Sequence, residues 1–261
     1  MINAFEKSRS TAWLGGAVLG LAAGTGAWLA LKDAGTPIFN RVLLVILAAF
    51  VGTNIAVYLA RMIAAREYQN RLLLLYEQLD PQAFLEAMEP LETVSLDQAS
   101  RCTLLSHIAN GLLYAGNTQK ALEILEGISL PSKALSARGL ILSNQAACWL
   151  VQGNPDQAQV CMDHLKMLLA NKDCDKAFAD KARHGLAYLQ ICMDLRRGKR
   201  VDLAILEKDF LTSRSPFHRL DVQYRIALSA RKAGDTARFE KAKEYVRQHG
   251  AKTVYPSLLD A

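Results

Sequence analysis

Two stretches near the start of the chain carry no charged side chain: Ser10 to Leu31, 22 residues, and Val42 to Ala60, 19 residues. As helices rising ~1.5 Å per residue, each is long enough, or nearly so, to cross ~30 Å of hydrocarbon. Trp13 and Trp28 stand near the two ends of the first stretch, and Phe39 and Tyr58 flank the second. Amphipathic rings settle at the headgroup level, so the rims agree with the length. A short segment, Lys32 to Pro37, separates the stretches. The sequence therefore predicts a transmembrane helical hairpin over residues 10–60, with spans at about 10–31 and 38–60. A cleavable signal peptide is a poorer fit, because its apolar core runs only ~7 to 15 residues. A pair of core helices in a soluble protein is poorer too, because neither stretch has a polar face.

Charge is distributed unevenly. Residues 1–66 hold six Lys/Arg against two Asp/Glu, whereas residues 67–261 hold 25 against 23. A nucleic-acid interface needs a basic patch on the folded part, and the near-balanced remainder argues against one. Lys7 and Arg9 precede the first span and Arg61, Arg66 and Arg71 follow the second, against Lys32 and Arg41 near the connection. This bias puts both ends of the hairpin on the cytoplasmic side of a plasma or inner membrane, with residues 1–9 as a cytoplasmic tail. The five cysteines all follow the membrane segment, are odd in number and show no CxxC pairing, as suits a reducing compartment.

Small residues recur every four positions on both spans: Gly16, Gly20 and Gly24 on the first, Ala48, Gly52, Ala56 and Ala60 on the second. Such stripes let helix backbones approach closely in lipid. They either face each other within one hairpin or join copies into a homo-oligomer. Thr53 and Asn54 are the strongly polar residues deep in the second span, and an interhelical hydrogen bond is the expected use of the amide.

Beyond Ala60 the pattern becomes amphipathic, so the second span is expected to continue as a helix into a juxtamembrane linker over residues 61–94. Asp80-Pro81 has the form of a cap followed by a first-turn proline, opening a short helix that ends at Pro90. Ser95 and Gln98 have the spacing of a capping box. From there the chain reads as helices separated by tight turns at Gly116-Asn117, Gly153-Asn154, Gly198-Lys199 and Gly234-Asp235. In each, glycine can take the left-handed position that ends one helix, and in three of the four the next residue is a good cap for the following one. No run reads as a strand. A recurring helix–turn–helix unit of about 36 to 45 residues is the pattern of an α-solenoid.

These units resemble tetratricopeptide repeats. Ala109 and Leu112 before the first turn, with Ala121 and Leu125 after it, stand at the family's small and large positions. Ala146, Trp149, Ala158 and Met162 do the same around the second. The third unit places Ile191, Asp194 and Leu203 there; in the fourth, Ala227 and Ala230 match and Phe239 departs. The resemblance implies an all-α fold, with a TPR-like array of about four αα-hairpins over residues 95–250 and a C-terminal tail at 251–261.

No catalytic signature is present: there is no GxxxxGK[ST], HExxH or GxSxG, and the five histidines fall on different predicted helices. Cys161 and His164 share a helix face but are too few for a zinc site. No catalytic, cofactor or metal residues are therefore expected. The resemblance implies a groove lined by the first helix of each unit, which takes a peptide or helix of a protein partner. Asn110, Asn144 and Tyr188 are the candidate contacts, with Arg101 and Arg138 at helix starts supplying positive charge. Residues 236–249, dense in charge, look like a capping helix. The expectation is a membrane-anchored adaptor or scaffold that binds a protein on the cytoplasmic side. The alternative is an accessory or regulatory subunit of a membrane enzyme or transporter complex, held through the transmembrane hairpin.

Overall fold

The computed structural model describes residues 14–26, 28–29, 37–94, 96–129, 134–199 and 201–260, among which every regular element is a helix. Helix α1 is Leu14–Gly26. It is followed by α2 (Ile38–Tyr76), α3 (Pro81–Glu92), α4 (Gln98–Tyr114), α5 (Thr118–Glu126), α6 (Leu135–Val151) and α7 (Pro155–Leu169). The remainder are α8 (Lys176–Arg196), α9 (Leu203–Thr212), α10 (Pro216–Ala233), α11 (Thr236–His249) and α12 (Tyr255–Asp260). The chain divides into two compact units, residues 1–71 with 90–95 and residues 72–89 with 96–261.

In the first unit, α2 is long and apolar enough to cross a membrane, with a mean hydropathy of 2.4 over its most apolar window and only 6% of that window buried. As expected, the helix continues past Ala60, reaching Tyr76. The described part of the first stretch, α1, is too short by itself to span; Ser10–Trp13 and the Lys32–Thr36 connection lie outside the described residues. Three glycines of α1, Gly16, Gly20 and Gly24, are buried against α2. A Cβ on Gly16 would lie 2.7 Å from Thr53 Cα, one on Gly20 2.5 Å from Ala49 Cα, and one on Gly24 2.8 Å from Val45 Cα. Each four-residue step along α1 thus meets a four-residue step backwards along α2, so the two helices run antiparallel. Ala48, Gly52 and Ala56 supply atoms to the same contact. Asn54 departs from the expected interhelical bond. It is exposed, and its Nδ2 donates to the Phe50 carbonyl of its own helix at 2.8 Å.

The second unit is built from helix pairs whose turns follow from four glycines. Gly116, Gly153, Gly198 and Gly234 have φ of +88°, +79°, +80° and +73°, a region that a side chain would strain. In each turn the same two hydrogen bonds recur. Asn117 N–H donates to the Leu112 carbonyl at 2.8 Å and Gly116 N–H to that of Leu113 at 3.1 Å; Gly153-Asn154, Gly198-Lys199 and Gly234-Asp235 repeat the pattern. This is the Schellman arrangement, which satisfies the last carbonyls of the outgoing helix. Asn117, Asn154 and Asp235 then cap α5, α7 and α11 through their side chains. After Gly198 the cap comes later, from Asp202.

Two expected boundaries shift. Asp80 caps α3 as predicted, accepting from Ala83 N–H at 3.1 Å, but the helix runs on to Glu92 with Pro90 inside it. Proline has no N–H to offer the Glu86 carbonyl, so the last turn of α3 lacks one helical hydrogen bond. The cap of α4 is Asp97, which accepts from Ser100 N–H at 2.9 Å. A carboxylate one residue before Gln98 occupies the role expected of Ser95, which lies outside the described residues.

Neighbouring pairs stack in sequence: α4 on α5 and α6, α6 on α7, α8 on α6 and α7, and α10 on α8, α9 and α11. The small positions do what small residues allow, since Ala109, Ala121, Ala146, Ala158, Ala227 and Ala230 are all buried. Large neighbours such as Leu125, Met162 and Leu165 fill the gaps, each contributing roughly 1.5–3 kcal/mol by leaving water. In the third unit the chain buries Cys192, Met193 and Leu206 in preference to Ile191, Asp194 and Leu203. In α11 it buries Ala242 and Val246 while Phe239 stays at the margin.

Residues 251–260 are not a tail. Tyr255 and Leu259 of α12 are buried, and Val254 N–H donates to the Tyr114 carbonyl at 2.8 Å, so the segment returns to the end of α4.

Candidate functional site

The first helix of each pair turns one face towards the interior of the second unit, and that face is where the expected contact residues fall. It is not open. The Asn144 amide, only 7% exposed, donates to the Ser106 carbonyl at 3.2 Å, tying α6 to α4. Asn110, half-buried, donates to the Tyr76 hydroxyl at 3.3 Å, and the same hydroxyl lies 3.2 Å from His107 Nδ1. Burial pushes the His107 pKa down, favouring its neutral ring. Tyr188 has its phenolic oxygen buried and its ring 5.4 Å from that of His218. Burial, with the Asp221 carboxylate nearby, raises its pKa well above the usual tyrosine range. Asn144 and Tyr188 are therefore packing residues in this structure, a correction to their expected place in a groove. The asparagine joins two helices that approach on small side chains, and the tyrosine fills space between α8 and α10. Arg101 is exposed and Arg138 half-buried, and neither belongs to this cluster.

What fills the interior is a polar and aromatic network that the sequence reading missed. Asp221 and Arg225, one turn apart on α10, form an ion pair of 3.2 Å with both side chains about nine-tenths buried. Tyr255 donates its hydroxyl to the same Asp221 oxygen. Its ring lies 4.8 Å from that of Tyr224 and 5.9 Å from that of Tyr114, and Tyr114 stands edge-on to Phe217 at 4.4 Å. Burial raises the pKa of Tyr114 and Tyr255 well above the usual tyrosine range, the negative Asp221 adding to it in each case. The available signal was an acid and a base four apart on a helix whose surrounding residues, Leu220, Val222, Tyr224 and Ile226, are apolar or aromatic.

An open concavity lies on α9, α10 and α11. A cleft of about 390 Å³ has Phe210, Ile226, Ala242 and Tyr245 as its apolar lining, with Leu211, 80% exposed, at its edge. Phe210 and Tyr245 meet edge-to-face at 5.2 Å, and the Arg219 guanidinium sits 4.5 Å above the Phe210 ring. Arg238 and Lys241 also line the cleft, the former 3.4 Å from Glu207. Residues 203–249 hold ten Lys/Arg against six Asp/Glu, so the surroundings are positive. Chemically, this surface can accept a bulky apolar side chain flanked by carboxylates.

Among the described residues, no group of three or more His, Cys, Asp or Glu is placed to hold a metal ion. Cys102, Cys148 and Cys192 are buried, and burial pushes the thiol of Cys148 up to about 12 and that of Cys192 to about 11. Thiols so shifted are poor nucleophiles at neutral pH. No protein-family profile matches the chain, and no curated protein or solved structure matches it significantly.

Proposed function

We propose that this chain is a membrane-anchored helical scaffold, in which α1 and α2 hold a TPR-like array at the cytoplasmic face of a bilayer and the array binds a protein partner without chemistry of its own. The observation that carries the reading is the exposed apolar surface of α2: Phe39, Leu43, Leu47, Phe50, Ile55 and Tyr58 all face outward on a helix that continues to Tyr76. A run of this size in contact with water is unfavourable by ~25 cal/mol per Å², and hydrocarbon removes that cost.

The partner surface in this reading is the cleft edged by Leu211, Arg238 and Lys241. The inner face of the array is occupied by its own side chains and by α12, which moves the binding role to the side where an apolar hollow remains open. An acidic segment bearing one large apolar residue fits its chemistry.

The test exchanges residues 1–60 for an unrelated two-span anchor in the full chain and recovers bound proteins in mild detergent. The scaffold reading expects the partner to be retained with the foreign anchor and lost with Leu211→Ser or Lys241→Glu. Loss of the partner on exchanging the anchor alone, with both surface variants retaining it, would instead make the chain a subunit held through its membrane helices.

A further inference from the structure

The face of α2 opposite its contact with α1 carries Asn54. With successive residues ~100° apart around a helix axis, Leu43, Leu47, Phe50, Asn54, Tyr58 and Arg61 fall within about 40° of one line, while Val45, Ala49, Gly52 and Ala56 lie on the other side. The second group is the one that receives the glycines of α1. The first is exposed, by 54% at Leu43, 58% at Leu47, 66% at Phe50 and 63% at Tyr58. Asn54 lies three residues beyond the middle of the uncharged stretch, roughly 4.5 Å along the axis from its centre. Its Nδ2 has the Phe50 carbonyl as partner. Among the described residues, no donor reaches its Oδ1.

We infer that α2 pairs with α2 of a second copy through this line, Asn54 meeting Asn54, to form a parallel two-fold dimer in the membrane. The inference rests on the membrane reading above. An amide carries both a donor and an acceptor, so two copies related by a two-fold axis satisfy each other at the residue they share. In hydrocarbon no water competes for those groups, and polar side chains between helices drive association there. The line runs 18 residues in five steps, 3.6 per step, so it stays on one side of a straight helix and can meet a facing helix along its length, where a single central asparagine fixes the register. The small-residue stripe cannot serve this purpose in the same molecule, because α1 covers it. The second copy is favoured over a different membrane protein by the self-complementarity of the amide together with the run of apolar residues on both sides of it.

The experiment reconstitutes the full chain, labelled in separate batches with donor and acceptor fluorophores, into phosphatidylcholine–phosphatidylglycerol vesicles over a range of protein-to-lipid ratios. Flotation of the vesicles first establishes that the chain is inserted. Energy transfer should appear with the concentration dependence of a dimer. Asn54→Leu should raise the half-association ratio about tenfold, and Asn54→Gln should keep it within about threefold of the original. Single cysteines in a cysteine-free background should cross-link between copies at Leu47, Phe50 and Tyr58 and fail to do so at Val45 and Ala49. A chain that floats but stays monomeric, or that associates equally well as Asn54→Leu, or that cross-links through Val45 and Ala49, overturns the dimer and leaves the anchor standing. A chain that does not float overturns both.

Discussion

The hydroxyl of Tyr255 donates to the carboxylate of Asp221 across 34 residues of sequence, and Arg225 shares that carboxylate, so α12 is held by an ion pair inside α10. Removing one member of a buried pair leaves the other charged and without compensation. Asp221→Asn should therefore cost about 3–5 kcal/mol, and Tyr255→Phe about 1.5–3 kcal/mol for one bond to a charged group. The double change Asp221→Leu with Arg225→Met strands no charge and should recover part of the loss, the buried Tyr255 hydroxyl still lacking its acceptor. Urea unfolding of the full chain in mild detergent, followed by circular dichroism, measures all three. An Asp221→Asn protein within about 1 kcal/mol of the parent would mean that water reaches the pair.

The Cys148 thiol gives a prediction for alkaline pH. Its pKa is raised by burial from an ordinary 9.0 to about 12 in the folded chain. Below about pH 9 both folded and unfolded states keep the proton, and the contribution is fully present. Between 9 and 12 only the unfolded state releases it, so stability falls as pH rises, by up to about 1.4 kcal/mol per pH unit. Cys148→Ala should lower stability at pH 8 through the lost sulfur packing and flatten the decline between pH 9 and 10. A decline of equal slope in the variant would assign that limb to other groups.

Gly20 and Gly15 make a matched pair for the contact of α1 with α2. A Cβ on Gly20 would lie 2.5 Å from Ala49 Cα and 2.6 Å from the Ala48 carbonyl oxygen, whereas one on Gly15 meets nothing within 4 Å. Because the obstacles are backbone, Gly20→Val should separate the helices at a cost of about 1–3 kcal/mol or more. Gly15→Val should be close to neutral. Cross-linking of a cysteine on α1 to one on α2 reads the difference, and equal yields for the two variants would contradict the antiparallel packing.

Burial also sharpens a test of orientation. A membrane-impermeant thiol reagent should label none of the five cysteines in intact cells. After permeabilisation it should label Cys161 and Cys174, which are partly accessible, and it should reach Cys102, Cys148 and Cys192 only after denaturation. Labelling of Cys174 in intact cells would invert the topology.

Where a structural decision is local, the sequence announced it. The four glycine turns, the Asn and Asp caps after three of them and the cap at Asp80 depend on a few adjacent residues, and all stand where the spacing put them. The alanines of the first two units were legible for the same reason, since a small side chain among large ones marks a close crossing. The third unit was not, because its helix buries Cys192 and Met193, one position away from the expected Ile191 and Asp194. Cys192 and Met193 lie between those two in sequence, and at about 100° per residue the side of the helix they occupy is opposite the expected one. The burial of Asn144 and of the Tyr188 hydroxyl was not legible for a different reason. Asn144 and Tyr188 look like exposed polar residues when only their own helices are considered, and their burial is decided by Ser106 and by α10, far away in the chain. Nothing within α12 revealed that Tyr255 would meet Asp221.

The return of α12 to α4 changes where the second unit is weak. In an open stack of repeats the ends have one neighbour each, so terminal helices fray first and exchange their amide protons fastest. Here Val254 is bonded to Tyr114, Lys252 is paired with Asp80, and Arg231 donates to the Leu259 carbonyl at 3.1 Å, so the first and last helices of the unit secure each other. The poorly covered stretch is then internal: α9 buries Leu206 alone, and the first half of α8 buries Ala179 alone. Amide exchange should accordingly be fastest in the middle of the second unit, at α8 and α9, with both of its ends outlasting it.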